Sequence, residues 1–208
     1  MASVESEGFS VLTVPGLGNS EDGHWQTEWE QLLPGAARAD LGDWDDPDPD
    51  IWAERLDFAI RMAKRPVIVV AHSLGCHAFV RWAGRHGEES PVRGALLVAP
   101  PDCERPGAVK SIRRFAHTGV SRLRFPAIVV GSPDDNWASI EAERGLARRW
   151  GADFVDAGRI GHINVASRIG LWPAGLRLLE GLAVTVGLGG IRHAVRVAVS
   201  PKPPAAAA

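Results

Sequence analysis

Apolar and polar positions along this chain follow two alternating kinds of spacing. An unbroken apolar run starts at Pro66, and short, mostly apolar runs occur at residues 9–14, 92–99 and 126–130, with weaker ones at 36–41 and at Phe154-Val155. The run from Pro66, with no internal polar position, is the pattern of a strand buried on both faces, and the others are read as strands of the same sheet. Between them the apolar residues fall three and four apart. Trp25, Trp29, Leu32 and Leu33 form one such stripe, which starts at Asp22 or Gly23 and stops at Pro34. Trp52, Leu56, Ala59, Ile60 and Ala63 form a second over residues 51–64, with Asp50 as its expected N-cap. Three more helices are predicted: from Gly75 to Gly87, from Trp137 to Trp150, and from Trp172 to Leu182 with Leu176, Leu179 and Leu182 inward. Strands alternating with helices predict an α/β fold, a mostly parallel six-stranded sheet with helices on both faces. With strand order 2-1-3-4-5-6, the first and third strands become neighbours where the order reverses, and chemistry gathers beyond their carboxyl ends.

Two stretches break the rhythm. Residues 103–125 carry scattered Arg, Lys, His and Ser without periodicity, as binding loops and lids do. From residue 184 the chain turns to glycine, an alternating stretch at 193–199 and a Pro and Ala tail bearing Arg192, Arg196 and Lys202. These mark one domain over 1–183 and a flexible extension over 184–208. A formal net charge of −2 gives no electrostatic ground for a nucleic-acid or anionic-membrane partner. The polar, acidic start and the absence of a long apolar run predict a cytoplasmic protein. Two cysteines, Cys76 and Cys103, are expected as free thiols.

The chemistry is concentrated at strand ends. Ala71-His72-Ser73-Leu74-Gly75 nearly matches Gly-x-Ser-x-Gly, in which a serine sits on a sharp strand-to-helix turn with its hydroxyl exposed. A serine hydroxyl needs a base, and the base needs a group to fix its tautomer. His162 follows the sixth strand and Asp135 the fifth, so Ser73, Asp135 and His162 fall in the order this architecture requires. Asp134 and Asp102 also stand at strand ends and remain alternatives for the acid. The N–H of Leu74, with that of Gly16 or Leu17 from the loop after the first strand, would form an oxyanion hole. His72 and His77 lie on the same strand-turn-helix as the serine and are expected to point away from it, as packing or surface residues. The acidic loop 42–50 is read as solvated and helix-capping, because its spacing lacks the glycine and glutamate of a calcium loop. No metal or cofactor is expected.

These motifs also carry a resemblance. Val14-Pro-Gly, His24-Trp-Gln, Trp29, Ala71-His-Ser-Leu-Gly, Gly131-Ser-Pro-Asp-Asp and Gly161-His-Ile-Asn resemble the retinoblastoma-binding protein nine and YdeN-type serine hydrolases. The resemblance spans about Phe9 to Leu182. It implies that the 1–183 domain is a three-layer α/β-hydrolase fold with a minimal lid, with Ser73 as nucleophile, the second aspartate of the Asp134-Asp135 pair as acid and His162 as base. It also implies that His24 and Trp25 lie near the pocket mouth. Ala71 stands where that family usually has glycine, and Asn136-Trp137 where a Pro-aromatic pair is commoner; neither departure removes a catalytic atom, and Trp137 is expected to reshape the pocket. Neither cysteine has the Leu-x-Cys-x-Glu context linked to the animal relative's protein partner.

The expected function is therefore serine-dependent cleavage of a small acyl ester, with thioesters and activated amides open to the same machinery. Trp25, Trp44 and Trp137 are candidates to line the acyl pocket. The competing class is a non-catalytic binding protein that keeps the fold and uses its Trp-rich surface or basic tail.

Overall fold

The computed structural model describes residues 8–86, 90–116, 122–189 and 191. The first seven residues, Gly87 and the tail with Arg192, Arg196 and Lys202 lie outside them.

Six parallel strands form one sheet in the order β2-β1-β3-β4-β5-β6, as expected. They are β1 (Ser10–Val14), β2 (Ala37–Arg38), β3 (Val67–His72), β4 (Val92–Val98), β5 (Ala127–Gly131) and β6 (Asp153–Asp156). Alternate residues of a strand face opposite sides of the sheet. Val67, Val69 and Ala71 of β3 accordingly join one core, and Ile68 and Val70 the other, which is why the run contains no polar position. The first core is closed by α2 (Pro49–Arg61), α3 (Leu74–Arg85) and α5 (Ile140–Trp150), through Trp52, Leu56, Phe79, Trp82 and Trp150. The second is closed by α1 (Trp25–Leu32) and α6 (Pro173–Thr185), through Trp25, Trp29, Trp172, Leu176 and Leu179. No helix among the described residues is long and apolar enough to cross a membrane.

Helix starts differ from the sequence expectation, and each difference has a local cause. Asp48, not Asp50, caps α2: its carboxylate accepts from the N–H groups of Asp50 and Ile51, and Pro49 takes the first helical position, where no donor is needed. Asp50 is thereby free to pair with Arg81 and Arg85 of α3. α5 begins three residues later than its first apolar position, because Ser139 caps it by accepting from Ala142 N–H at 3.2 Å. Among the described residues of 103–125 the one helix is the four-residue α4 (Lys110–Arg113). α6 continues past residue 183 to Thr185, and Val186, Leu188 and Ile191 pack against the second core.

Candidate active site

The turn between β3 and α3 forces Ser73 into φ 53°, ψ −127°, a conformation that costs a non-glycine residue strain. Its surroundings hold it there. Ser73 N–H donates to Val98 O at 2.8 Å, and Cys76 N–H donates to Ser73 O at 3.0 Å. The first loop is pressed against this turn so closely that two positions exclude any side chain. A Cβ on Gly75 would lie 2.4 Å from both Val14 O and Pro15 O, and one on Gly16 would lie 2.7 Å from Ser73 Cβ. Gln26 fastens the same corner from α1, donating to Val70 O at 2.9 Å while its carbonyl accepts from Ser20 Oγ. Leu74 is the first residue of α3, so its N–H has no acceptor within the helix and lies at the helix's positive end. The backbone of Gly16 thus adjoins that of Leu74 beside the serine, at the point where strand order reverses.

Two loops from further along the sheet complete the arrangement. His162 Nε2 lies 2.9 Å from Ser73 Oγ, and His162 Nδ1 lies 2.7 Å from Asp135 Oδ2. A carboxylate only accepts, so Nδ1 carries the proton and Nε2 accepts from the serine hydroxyl. The Asp135 side chain is fully buried, and its other oxygen accepts from Trp137 N–H at 2.7 Å. Asp134 faces away from this line and braces the histidine's loop instead. Its Oδ1 accepts from Gly161 N–H at 2.9 Å and lies 2.8 Å from Ser132 Oγ. The Gly161 and Ser132 bonds hold its carboxyl below the usual range. Asp102 accepts from Glu104 N–H at 3.0 Å. A hydroxyl, an imidazole and a buried carboxylate in one hydrogen-bonded line can move a proton off the hydroxyl and hold the resulting imidazolium.

Other residues singled out from the sequence take different places. His24 and Trp25 do not open onto a pocket mouth; they are 4% and 1% exposed. His24 caps α1, accepting from Gln26 N–H, and Trp25 Nε1–H donates to Ile163 O at 2.7 Å. Both are drawn inward by the second core, in which Trp25, Trp29 and Trp172 pack ring against ring. His72 does not point away from the site, its ring centre lying 5.0 Å from that of His162. His77 is buried, 2.8 Å from Pro101 O, as packing. Trp137 stands 6.0 Å from His162, with the Arg105 guanidinium 5.4 Å from its ring. Trp44 packs on Trp52 at 5.5 Å, behind the first loop, where its carbonyl accepts from Gly18 N–H. The 102–116 segment, with His77, Leu146 and Trp150, encloses a cavity of about 200 Å³ that Ser73 does not line. The carboxylates of Asp43, Asp46, Asp48 and Asp50 are taken up by turn N–H groups, Arg114, the α2 cap and the α3 arginines.

One ionisable group near the site belongs to no motif. Glu143 is fully buried on the inner side of α5, and its Oε2 accepts from Ser132 N–H at 3.0 Å while Oε1 has no hydrogen-bond partner among the described residues. A Cβ on Gly131 would lie 2.1 Å from that Oε2, so β5 ends in glycine to admit the carboxyl. Burial, reinforced by the charge of Asp135, pushes Glu143 up to about 8. The folded protein therefore keeps a proton that the unfolded chain releases near the ordinary value of 4.5. That contribution is fully present below about pH 4.5 and is lost as pH rises to about 8, a change on the order of a few kcal/mol. Glu143→Gln is neutral throughout and should flatten this slope. In urea unfolding, its midpoint relative to wild type is expected to be higher at pH 8 than at pH 5; the same difference at both would contradict a buried, protonated carboxyl.

Comparison with known proteins places this geometry in context. The profile of the serine hydrolase family matches residues 11–181. A YdeN-like hydrolase from Pectobacterium atrosepticum is 30% identical, with a TM-score of 0.75, 87% of this chain and 94% of that one being covered. The ydeN gene product of B. subtilis, at 19% identity and TM-score 0.70, covers 84% of this chain and 98% of its own. The type II thioesterase BorB of the borrelidin biosynthetic cluster shares the fold at 16% identity and TM-score 0.57, over 88% of this chain and 93% of its own. No curated protein matches the sequence significantly.

Proposed function

This chain belongs to the serine hydrolase family, and we propose that it hydrolyses small acyl esters through an acyl-enzyme on Ser73. The observation that carries this reading is the unbroken line from Ser73 Oγ through His162 to Asp135, at 2.9 and 2.7 Å.

Ser73 Oγ attacks the ester carbonyl carbon as its proton passes to His162 Nε2. Asp135 accepts from Nδ1–H throughout, fixing the ring and stabilising the imidazolium. The carbonyl oxygen becomes an oxyanion facing the N–H of Leu74 and the first loop at Gly16 and Leu17. Backbone donors of this kind contribute about 3 kcal/mol each to the transition state when aimed at the developing charge. Collapse expels the alkoxide, which takes the proton from Nε2, and the acyl group remains on Ser73. Water then gives a proton to His162 and attacks the acyl carbonyl, the ester bond to Oγ breaks, and Oγ recovers the proton as the acid leaves. Trp137 at the edge of His162 borders the space a substrate occupies, and the same steps serve a thioester, whose thiolate is the better leaving group.

Turnover of a graded series of p-nitrophenyl esters, from acetate to octanoate, tests the reading. Saturable hydrolysis with a preference among the shorter acyl chains is expected. No turnover of any ester or thioester by folded protein would overturn it.

A further inference from the structure

The nucleophile's own neighbour reaches the loop that carries the base. His72 is the last residue of β3 and precedes Ser73, yet its Nε2 lies 3.0 Å from the backbone oxygen of His162. A carbonyl oxygen only accepts, so His72 Nε2 carries a hydrogen and donates. The adjacent carbonyl, that of Ile163, accepts from Trp25 Nε1–H at 2.7 Å. Two ring N–H groups from the buried core thus grip consecutive carbonyls. The loop needs such a grip, because Gly161 and Ile163 on either side of His162 have φ 62° and 49°. A β-branched residue at positive φ is strained and keeps that conformation only where its surroundings impose it. Ile163 is fully buried, and Gly161 N–H is fixed by Asp134.

We infer that His72 is a positioning residue: His72 and Ser73 together set the separation of nucleophile and base, Ser73 from the side-chain end of His162 and His72 from its backbone. The inference rests on the reading of His162 as the base. The geometry also constrains charge. The rings of His24, His72 and His162 follow one another at 4.8 and 5.0 Å, so a cation on His72 would oppose the imidazolium that forms on His162. Burial works against that cation, lowering His72 well below the ordinary value and His24 to about 4. Asp135 is then the charge that His162 meets at hydrogen-bond distance.

The test separates the N–H donor from the bulk of the ring. A glutamine amide reaches the Nε2 position of histidine; an asparagine amide stops at Nδ1, and leucine offers no donor. His72→Leu is expected to lower kcat for ester hydrolysis by roughly 10–100-fold with KM nearly unchanged, since small displacements of a catalytic group carry losses of that size. His72→Gln is expected to restore kcat to within about three-fold of wild type, because its amide restores the bond that holds the base in place. The second-order rate of Ser73 labelling by a fluorophosphonate should follow the same order. If His72→Leu does not fold, His72→Asn takes its place and is expected to fall as leucine would. Equal losses in the glutamine and the donor-less variants, or wild-type kcat in the latter, would overturn the inference. Absence of turnover in the wild-type protein would instead strike at the hydrolase reading itself.

Discussion

Asp135→Asn is expected to lower kcat for ester hydrolysis by about ten-thousand-fold while leaving the fold intact, the scale seen when the acid of a Ser-His-Asp system loses its charge. The reason lies in the two donors that Asp135 serves. One oxygen accepts from Trp137 N–H and the other from His162 Nδ1–H. Asparagine has a single carbonyl oxygen to offer. The backbone N–H of Trp137 has no alternative tautomer, so the oxygen stays there and the amide NH₂ faces the imidazole. Nδ1 must then become the acceptor, Nε2 takes the proton, and His162 can no longer receive the proton of Ser73. The neighbouring aspartates give the contrast. Asp134→Asn keeps an oxygen for Gly161 N–H and is expected to cost no more than about ten-fold, through looser seating of the His162 loop. Asp102→Asn, whose contact is with Glu104 N–H, is expected to stay within about two-fold. Steady-state kinetics on one ester across the three variants checks the order, and full activity in Asp135→Asn would assign the acid elsewhere.

How legible the molecule is in its sequence depends on how local each cause is. β3 announces itself because a strand buried on both faces tolerates no polar residue within its run, β4 nearly as plainly with the exposed Arg93 as its one charged position, and the chain order of Ser73, Asp135 and His162 follows from where such strands end. The glycines at 16 and 75 read as a turn and an elbow. That both are obligatory follows only from the approach of β1 to α3, a contact between segments about sixty residues apart. Asp50 reads as the α2 cap because it stands beside an apolar stripe. Asp48 wins because Pro49 suits the first helical position and because Arg81 and Arg85 of α3 claim Asp50. Local spacing cannot see those arginines.

The deeper differences concern polar groups that are buried. His24, Trp25 and His72 stand near the serine or its first loop in sequence and invite roles at a pocket mouth or on the surface. In the fold they form the inner wall behind His162, because Trp25 belongs to an aromatic cluster and its N–H, like that of His72, finds a backbone carbonyl of the base's loop. Glu143 carries a weak signal: it shares a helical face with Leu146, Ala147 and Trp150, where a charged residue is out of place. Nothing in the sequence pairs it with Ser132 N–H or sets it against Gly131, which are contacts that arise only when α5 packs against the end of β5.

The second large effect concerns Ser73 itself. Its hydroxyl is expected to be far more reactive than the other serines, because it combines an imidazole acceptor at 2.9 Å with the N-terminal end of α3 beneath it. Ser73→Ala removes the attacking atom and should lower kcat by about 10⁴–10⁶-fold, the residual rate coming from substrate binding and the oxyanion donors. Covalent labelling by a fluorophosphonate, followed by mass spectrometry of the peptide containing residues 71–75, reads this directly. The expected result is one phosphonyl adduct per chain, on Ser73, formed by the wild-type protein and absent from Ser73→Ala and from heat-denatured protein. Absence of labelling in the native wild type, or equal labelling of Ser73→Ala, would contradict a serine hydrolase that works through this residue.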